Sequence, residues 1–328
     1  MGPKIARAIL RPLLVLFVII LTISSAHAEL ELDAAYPTLG LIGQDLDVTL
    51  IGTGFDGNTR VSMYPDAGNK VAIVADRLLL PGPPNGIAVS GSCAYVGCGE
   101  DVNFQPSLQV IDISISSEPT IIREVPTDDI AFDVALAGAY AYVAAGGAGL
   151  HIVDISIPAD SHIIHTVDTP YGAQSVTVVG DKAYVADGVS GLQIIDIHSY
   201  EIIGFDTDDF AKHVAVSGGY AYVADSDNGL QIIDVSDPEI PSLVGGWDES
   251  DNDFAPAACR VTIVGNTAYL AHGFDGIYII DVSDPADPQT LSSMATTNAA
   301  YDIAVAGDKA FVADQAGGLQ VIDISDPS

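Results

Sequence analysis

Val214-Ala215-Val216-Ser217-Gly218-Gly219-Tyr220-Ala221-Tyr222-Val223-Ala224-Asp225, followed by Gly229-Leu230-Gln231-Ile232-Ile233-Asp234-Val235-Ser236-Asp237-Pro238, decides the architecture, because the chain repeats it six times. The pattern reads as two short apolar strands joined by a glycine-bearing turn, then a third strand that ends in aspartate. The aromatic residue of the second strand recurs as Tyr95, Tyr142, Tyr184, Tyr222, Tyr269 and Phe311. The closing aspartate recurs as Asp112, Asp154, Asp196, Asp234, Asp281 and Asp323, at spacings of 42, 42, 38, 47 and 42 residues. A period near 40 filled with short β-branched and aromatic runs marks units that bury one another's faces.

In the third copy, strand A is expected over Val176–Val179, B over Ala183–Ala186, C over Leu192–Ile197 and D at Ile202-Ile203. Ser-Asp-Pro turns such as Ser236-Asp237-Pro238 separate C from D, since proline fixes φ and ends a ladder. The strands are apolar on both faces, as sheets stacked between neighbours require. The expectation is an all-β, six-bladed β-propeller of four-stranded antiparallel blades. A parallel β-helix fits less well, because its coils are shorter and lack four-strand meanders. The sixth copy has no strand D before Ser328, while Lys70-Val71-Ala72-Ile73-Val74-Ala75-Asp76 stands unmatched before the first strand A. That N-terminal strand is expected to complete the sixth blade and close the ring, leaving no open edge. The competing reading is a missing seventh repeat.

Lys4, Arg7 and Arg11 precede an apolar run from Leu13 to Ile23, and Ala26-His27-Ala28 follows. This is the pattern of a secretory signal peptide, residues 1–28, which places the mature protein outside the cytoplasm, in a periplasm or at the cell surface. No later segment is long and apolar enough to span a bilayer. The net charge is −33, from 11 basic and 44 acidic residues, and loss of the signal removes three of the basic ones. Such a field repels nucleic acid and anionic membranes. Cys93, Cys98 and Cys259 form no disulfide framework. Cys93 and Cys98 fall on one predicted strand, about 16 Å apart when extended, too far to bridge.

The segments Val214–Asp225 and Gly229–Pro238 resemble the LVIVD-repeat family of secreted and surface proteins, over residues 71 to 326. The resemblance implies a propeller on or outside the cell and carries no catalytic residues. Tyr36-Pro37, then Val48-Thr49-Leu50-Ile51-Gly52-Thr53-Gly54-Phe55, then Thr59-Arg60-Val61 resemble part of an IPT/TIG immunoglobulin-like domain. The expected organisation is a signal peptide at 1–28, a small β or partial IPT/TIG-like appendage at 29–69, and the propeller at 70–328.

Internal repetition separates framework from site. The strand-C aspartate occurs in all six copies and is expected to accept local hydrogen bonds at the strand end. Two other positions vary. Before strand A stand Gly86, Asp133, Ser175, His213, Arg260 and Asp302; after strand B stand Cys98, Ala145, Asp187, Asp225, His272 and Asp314. A hairpin brings both sets to one end of each blade, around one mouth of the channel. The candidate ligand-binding residues are therefore Asp133, Asp187, His213, Asp225, Arg260, His272, Asp302 and Asp314, against the plain alternative of loop drift. His213 and His272 suit a transition metal, and Arg260 suits a carboxylate or sulfate. Asp248, Asp251 and Asp253 form an acidic insertion dense in oxygen ligands, where Ca2+ is the fitting ion. A solvated loop is the plainer reading, and no cofactor is required. Phe104, in an insertion of the first copy, is a candidate exposed contact.

No Ser-His-Asp order, HExxH, P-loop or Rossmann fingerprint is present. The expectation is a non-catalytic secreted or cell-surface scaffold that binds protein or carbohydrate on a propeller face. The alternatives are a metal-assisted hydrolase or lyase at the channel mouth, and a calcium-stabilised structural surface protein.

Overall fold

The computed structural model describes residues 78–99, 105–115, 118–248 and 258–325, together with the backbone alone of four stretches before residue 53. It forms two units, Met1–Arg77 and Leu78–Ser328. In the first unit the strands Lys4–Leu10, Thr22–Ser25, Ala28–Tyr36 and Leu46–Gly52 make one sheet, in the order first, fourth, third, second. Val48 and Leu50 lie on the fourth of these strands. The bend from Thr53 onward and Thr59–Val61 lie outside the described residues.

The second unit is a six-bladed, all-β propeller of antiparallel blades. Blade three shows why. Its strands are Ser175–Val179, Lys182–Ala186, Leu192–Asp196 and Ile202–Phe205, paired in chain order. They match the strands read from sequence, with D longer than the two residues first apparent. Two-residue turns join A to B in all six blades, each opening on a glycine with φ of 58–61°. An L side chain there would be strained, so the turn fixes both the hairpin and its register. Register then decides which side chains face which neighbour, because a one-residue slip would exchange the two faces.

Each sheet is buried on both sides. Between blades three and four, Tyr184, Ala186, Leu192 and Ile194 meet Ala211, Val214, Ala221, Val223 and Ile233. Small alanines on one face admit the bulkier residues of the other. Four equivalent clusters fill the interfaces between the other consecutive blades, from blades one and two to blades five and six. Each fully buried Val, Leu or Ile contributes about 1.5–3 kcal/mol. Strand A of each blade lies against strand A of the next, so the A strands are innermost. Paired backbone bonds tie the B–C turns of blades two to five to the loop entering the following blade, as between Gly146 and Ala173 or Gly188 and Ala211.

The repeated aspartates behave as the repetition implied. Each accepts the backbone N–H two residues on, from Ser114 to Asp112 at 2.8 Å through to Ser325 to Asp323 at 3.0 Å. Asp196 accepts two, from His198 and Ser199. The repeated tyrosines are buried between blades. None of the three cysteines forms a disulfide. Cys93 and Cys98 end one strand and face opposite neighbours, and burial pushes the Cys98 thiol up to about 11.

The sixth blade has three strands, Asp302–Ala306, Lys309–Ala313 and Leu319–Asp323. The strand expected at 70–76 to complete it lies outside the described residues, as do Phe104, Asp251 and Asp253.

Candidate functional site

Strands A and B pair so that Asp133 faces Ala144, Ser175 faces Ala186, His213 faces Ala224, Arg260 faces Ala271 and Asp302 faces Ala313. The two variable sets therefore share one end of the blades, as the hairpin argument requires. The structure nevertheless gives them different roles.

The first set converges. Arg260 of blade five places Nε 2.8 Å from Asp302 Oδ1 of blade six and a terminal nitrogen 3.6 Å from Asp133 Oδ1 of blade two. One guanidinium thus spans the channel. Asp133 is nearly buried and accepts N–H groups from Val134 and, in the next blade, Val176. His213 repeats that geometry, its Nδ1 accepting the N–H of Val261 in the next blade at 3.4 Å. Nδ1 must be unprotonated to accept, which assigns the proton of the neutral ring to Nε2. Enclosure, and then the Arg260 charge, hold this imidazole well below the usual histidine range. Ser175 Oγ is buried in the same ring without a hydrogen-bond partner.

The second set turns inward and is consumed by the framework. Asp187 accepts the Thr169 hydroxyl at 2.6 Å and the N–H groups of Tyr171 and Gly172, both at 2.9 Å. Asp314 accepts the backbone N–H groups of Thr297 and Asn298 and the Thr297 hydroxyl. Asp225 accepts the Thr207 hydroxyl at 2.6 Å and Asn228 Nδ2 at 3.2 Å. All three aspartates are fully buried. They pin the loop entering strand A to the turn leaving strand B.

His272 is buried as well, edge-on to Trp247 and Tyr278 with ring centroids 6.1 and 5.4 Å away. Its Nδ1 lies 3.3 Å from Asp275 but is not aligned for a hydrogen bond. His213 and His272 are therefore held by separate partners. Among the described residues, no group of three or more His, Cys, Asp or Glu side chains is placed to hold a metal. Of the calcium candidates, only Asp248 is described.

Burial raises the Asp225 carboxyl to about 6, against the hydrogen bonds from Thr207 and Asn228, with Asp209 and Asp208 adding to the rise. The folded chain therefore takes up this proton near pH 6, whereas the unfolded chain waits until about pH 4. Stability should rise as pH falls from 7 towards 4 through this group. The expected result is a higher melting temperature at pH 5 than at pH 7, with the difference reduced in Asp225→Asn. An unchanged pH dependence in that variant would assign the effect elsewhere.

What ligands can reach at this end is Arg260, Asp302 and a set of aromatics not evident from the repeats. Tyr171 and Tyr301, in loops entering strand A, are each 52 % exposed, and Phe274, in a B–C turn, is 62 % exposed. Phe210 meets Tyr171 edge-to-face at 5.9 Å and steadies it. Exposed Asp128, Asp168, Asp206, Asp208 and Asp227 lie in the same loops. The signal in sequence was the occurrence of aromatics in loops otherwise made of Gly, Asp, Ser and Thr.

The described residues contain no helix long and apolar enough to cross a membrane. The computationally designed Ika8 protein, known from a crystal structure, is similar in fold. It shares 8 % identity with this chain at a TM-score of 0.59, over 74 % of this chain and 71 % of that one. A search of curated proteins found no match. The LVIVD repeat matches residues 81–127, 130–169, 172–199, 210–249, 256–296 and 298–328, and leaves the Ig-like likeness of 36–62 without support. Matched over most of its length by six copies of that repeat, the chain belongs to the LVIVD-repeat family.

Proposed function

We propose that this protein is a non-catalytic, secreted or surface-associated scaffold that binds a protein or carbohydrate on the face formed by the strand-A entry loops and the B–C turns. The observation that carries this reading is the exposure of Tyr171, Phe274 and Tyr301 on one end of a rigid framework. Large aromatic rings held above buried loops supply contact area at little entropic cost, as anchor residues of binding surfaces do. The acids among them turn away anionic partners, so the fitting partner is neutral or basic. The N-terminal signal pattern supports the location.

A metal-assisted enzyme at the channel mouth is less well supported, because Asp187, Asp225, Asp314 and His272 spend their polar or ring surface on the fold. Screening the purified chain against glycans and cell-surface extracts tests the proposal. Alanine at Tyr171, Phe274 or Tyr301 should weaken the strongest hit about tenfold or more, each without a change in melting temperature. Binding that survives all three changes would move the site to another surface.

A further inference from the structure

Where blades three and four meet at the mouth end, an apolar shelf adjoins a run of carboxylates. Gly188, at φ 57° in the B–C turn of blade three, lets two rings close over it. A Cβ there would lie 2.6 Å from Tyr171 Cδ1 and 3.1 Å from Phe210 Cε2, so the turn backbone and both rings form one continuous shelf. Tyr171 is half exposed on it, and so is Val189, the next residue of the turn. The shelf is rigid, because Asp187 accepts the Tyr171 N–H at 2.9 Å and paired backbone bonds join Gly188 to Ala211.

Asp168, Asp206, Asp208, Asp209 and Asp227 stand on the two loops that carry these rings and on the B–C turn of blade four. Local bonds fix several of them. Asp206 Oδ1 accepts the Asp208 N–H at 3.0 Å, and Asp209 Oδ2 accepts the Asp227 N–H at 2.8 Å. Among the described residues, no ion pair involves any of the five, whereas Lys182, Arg260 and Lys309 are matched with carboxylates elsewhere. The negative charge is felt behind the loop, where Asp209 and Asp208 add to the effect of burial on the Asp225 carboxyl.

We propose that this shelf takes a basic segment of a partner protein, with lysine or arginine stems laid on Tyr171, Phe210 and Val189 and their charged ends among the five carboxylates. The inference rests on the reading that this end of the blades binds, and narrows it from protein or carbohydrate to a cationic peptide stretch. Charge decides between the two. A sugar would stack on the rings but leave the carboxylates unbalanced. An ammonium or guanidinium supplies the missing counter-charge and is attracted to the face of an aromatic ring. The stems of these side chains cover apolar surface while the charge stays in water, which matches a shelf bordered by carboxylates. A second copy of this chain, at net charge −33, brings the wrong sign.

Fluorescence anisotropy of the full chain with a labelled peptide of alternating lysine and serine tests this, beside a peptide with glutamate in place of lysine. The lysine peptide should bind, more weakly as salt rises, and the glutamate peptide should not. Tyr171→Ala should lower the affinity about tenfold. Asp208→Asn/Asp227→Asn should lower it about fivefold. The fold should tolerate that pair, because both side chains are exposed and asparagine readily adopts the φ of 69° at position 208. Asp237→Asn/Asp284→Asn removes the same charge from the C–D turns at the opposite end, and should change the affinity less than about twofold. Equal losses from the two double variants would mean that the peptide follows net charge alone, and overturn the proposal. A lysine peptide that binds no better than the glutamate one overturns it too. A glycan hit weakened by Tyr171→Ala, with no lysine peptide bound, would refute the basic partner and leave the binding face standing. Peptide and glycan binding that Tyr171→Ala leaves unchanged would remove both.

Discussion

Asp187→Ala is expected to lower the unfolding free energy by about 3 kcal/mol, the cost of leaving three buried donors without an acceptor. The melting temperature should fall by about 6–12 °C in a domain of this size. The Thr169 hydroxyl and the N–H groups of Tyr171 and Gly172 all point at this one carboxylate, and no solvent reaches it. Asp187→Asn should recover part of the loss. Its oxygen can keep Thr169 and Gly172, while its amide faces the Tyr171 N–H. The same change at Asp225 should cost less, because that carboxylate accepts from two side chains, and Asn228 can reorient. Thermal melts of the three variants check the order. If Asp187→Ala melts with the wild type, the residue is free for a ligand after all and the framework role assigned to it is wrong.

That distinction marks where the sequence stopped being legible. Repetition identified the blades, the A, B and C strands and the capping aspartates, because those features satisfy local rules: short β-branched runs apolar on both faces, glycine turns and an acceptor two residues before an N–H. It could not rank the two variable positions, because variation looks the same whether a side chain faces solvent or a neighbouring loop. A spacing did carry the answer for one of them. Thr169 and Thr207 each stand 18 residues before the aspartate they bind, Asp187 and Asp225. A threonine at fixed distance from an aspartate in successive copies is a framework pair, and one set of the candidate residues belongs to it.

Departures from the repeat were informative in a second way. Blade five replaces the aspartate after strand B with His272 and the glutamine of strand C with Tyr278, and blade four ends its D strand in the single Trp247. These three rings meet, with Trp247 and Tyr278 centroids 4.7 Å apart, and the indole donates to Thr290 Oγ1 at 2.8 Å. Read one at a time, His272 resembles a metal ligand. Read together, the three substitutions are one repacked interface between blades four and five. The exposure of Ile87 and Leu319 was legible only in part, through the strand D that the sixth copy lacks. Leu319 and Ile87 obey the same pattern as their buried counterparts, and only the three-dimensional arrangement shows that nothing described covers them.

Arg260→Met is expected to cost about 2 kcal/mol, and the loss should fall on the blade-two side of the channel. Both partners of the guanidinium are carboxylates, but they differ in what water can do for them. Asp302 has a side chain 50 % exposed and can be hydrated when the arginine leaves. Asp133 has one 8 % exposed and would keep only the N–H groups of Val134 and Val176. Asp302→Asn should therefore shift stability by less than about 1 kcal/mol, despite its shorter contact of 2.8 Å, as exposed pairs do. The coupling of Arg260 to Asp133, from a double-mutant cycle with Asp133→Asn, should exceed its coupling to Asp302 and should persist at high salt, where exposed pairs are screened. Equal couplings, or one to Asp133 that salt abolishes, would mean that the guanidinium rests on the surface of the mouth. A persistent coupling means that blades two and five hold each other across the channel, and that any ligand of Arg260 must displace a carboxylate to reach it.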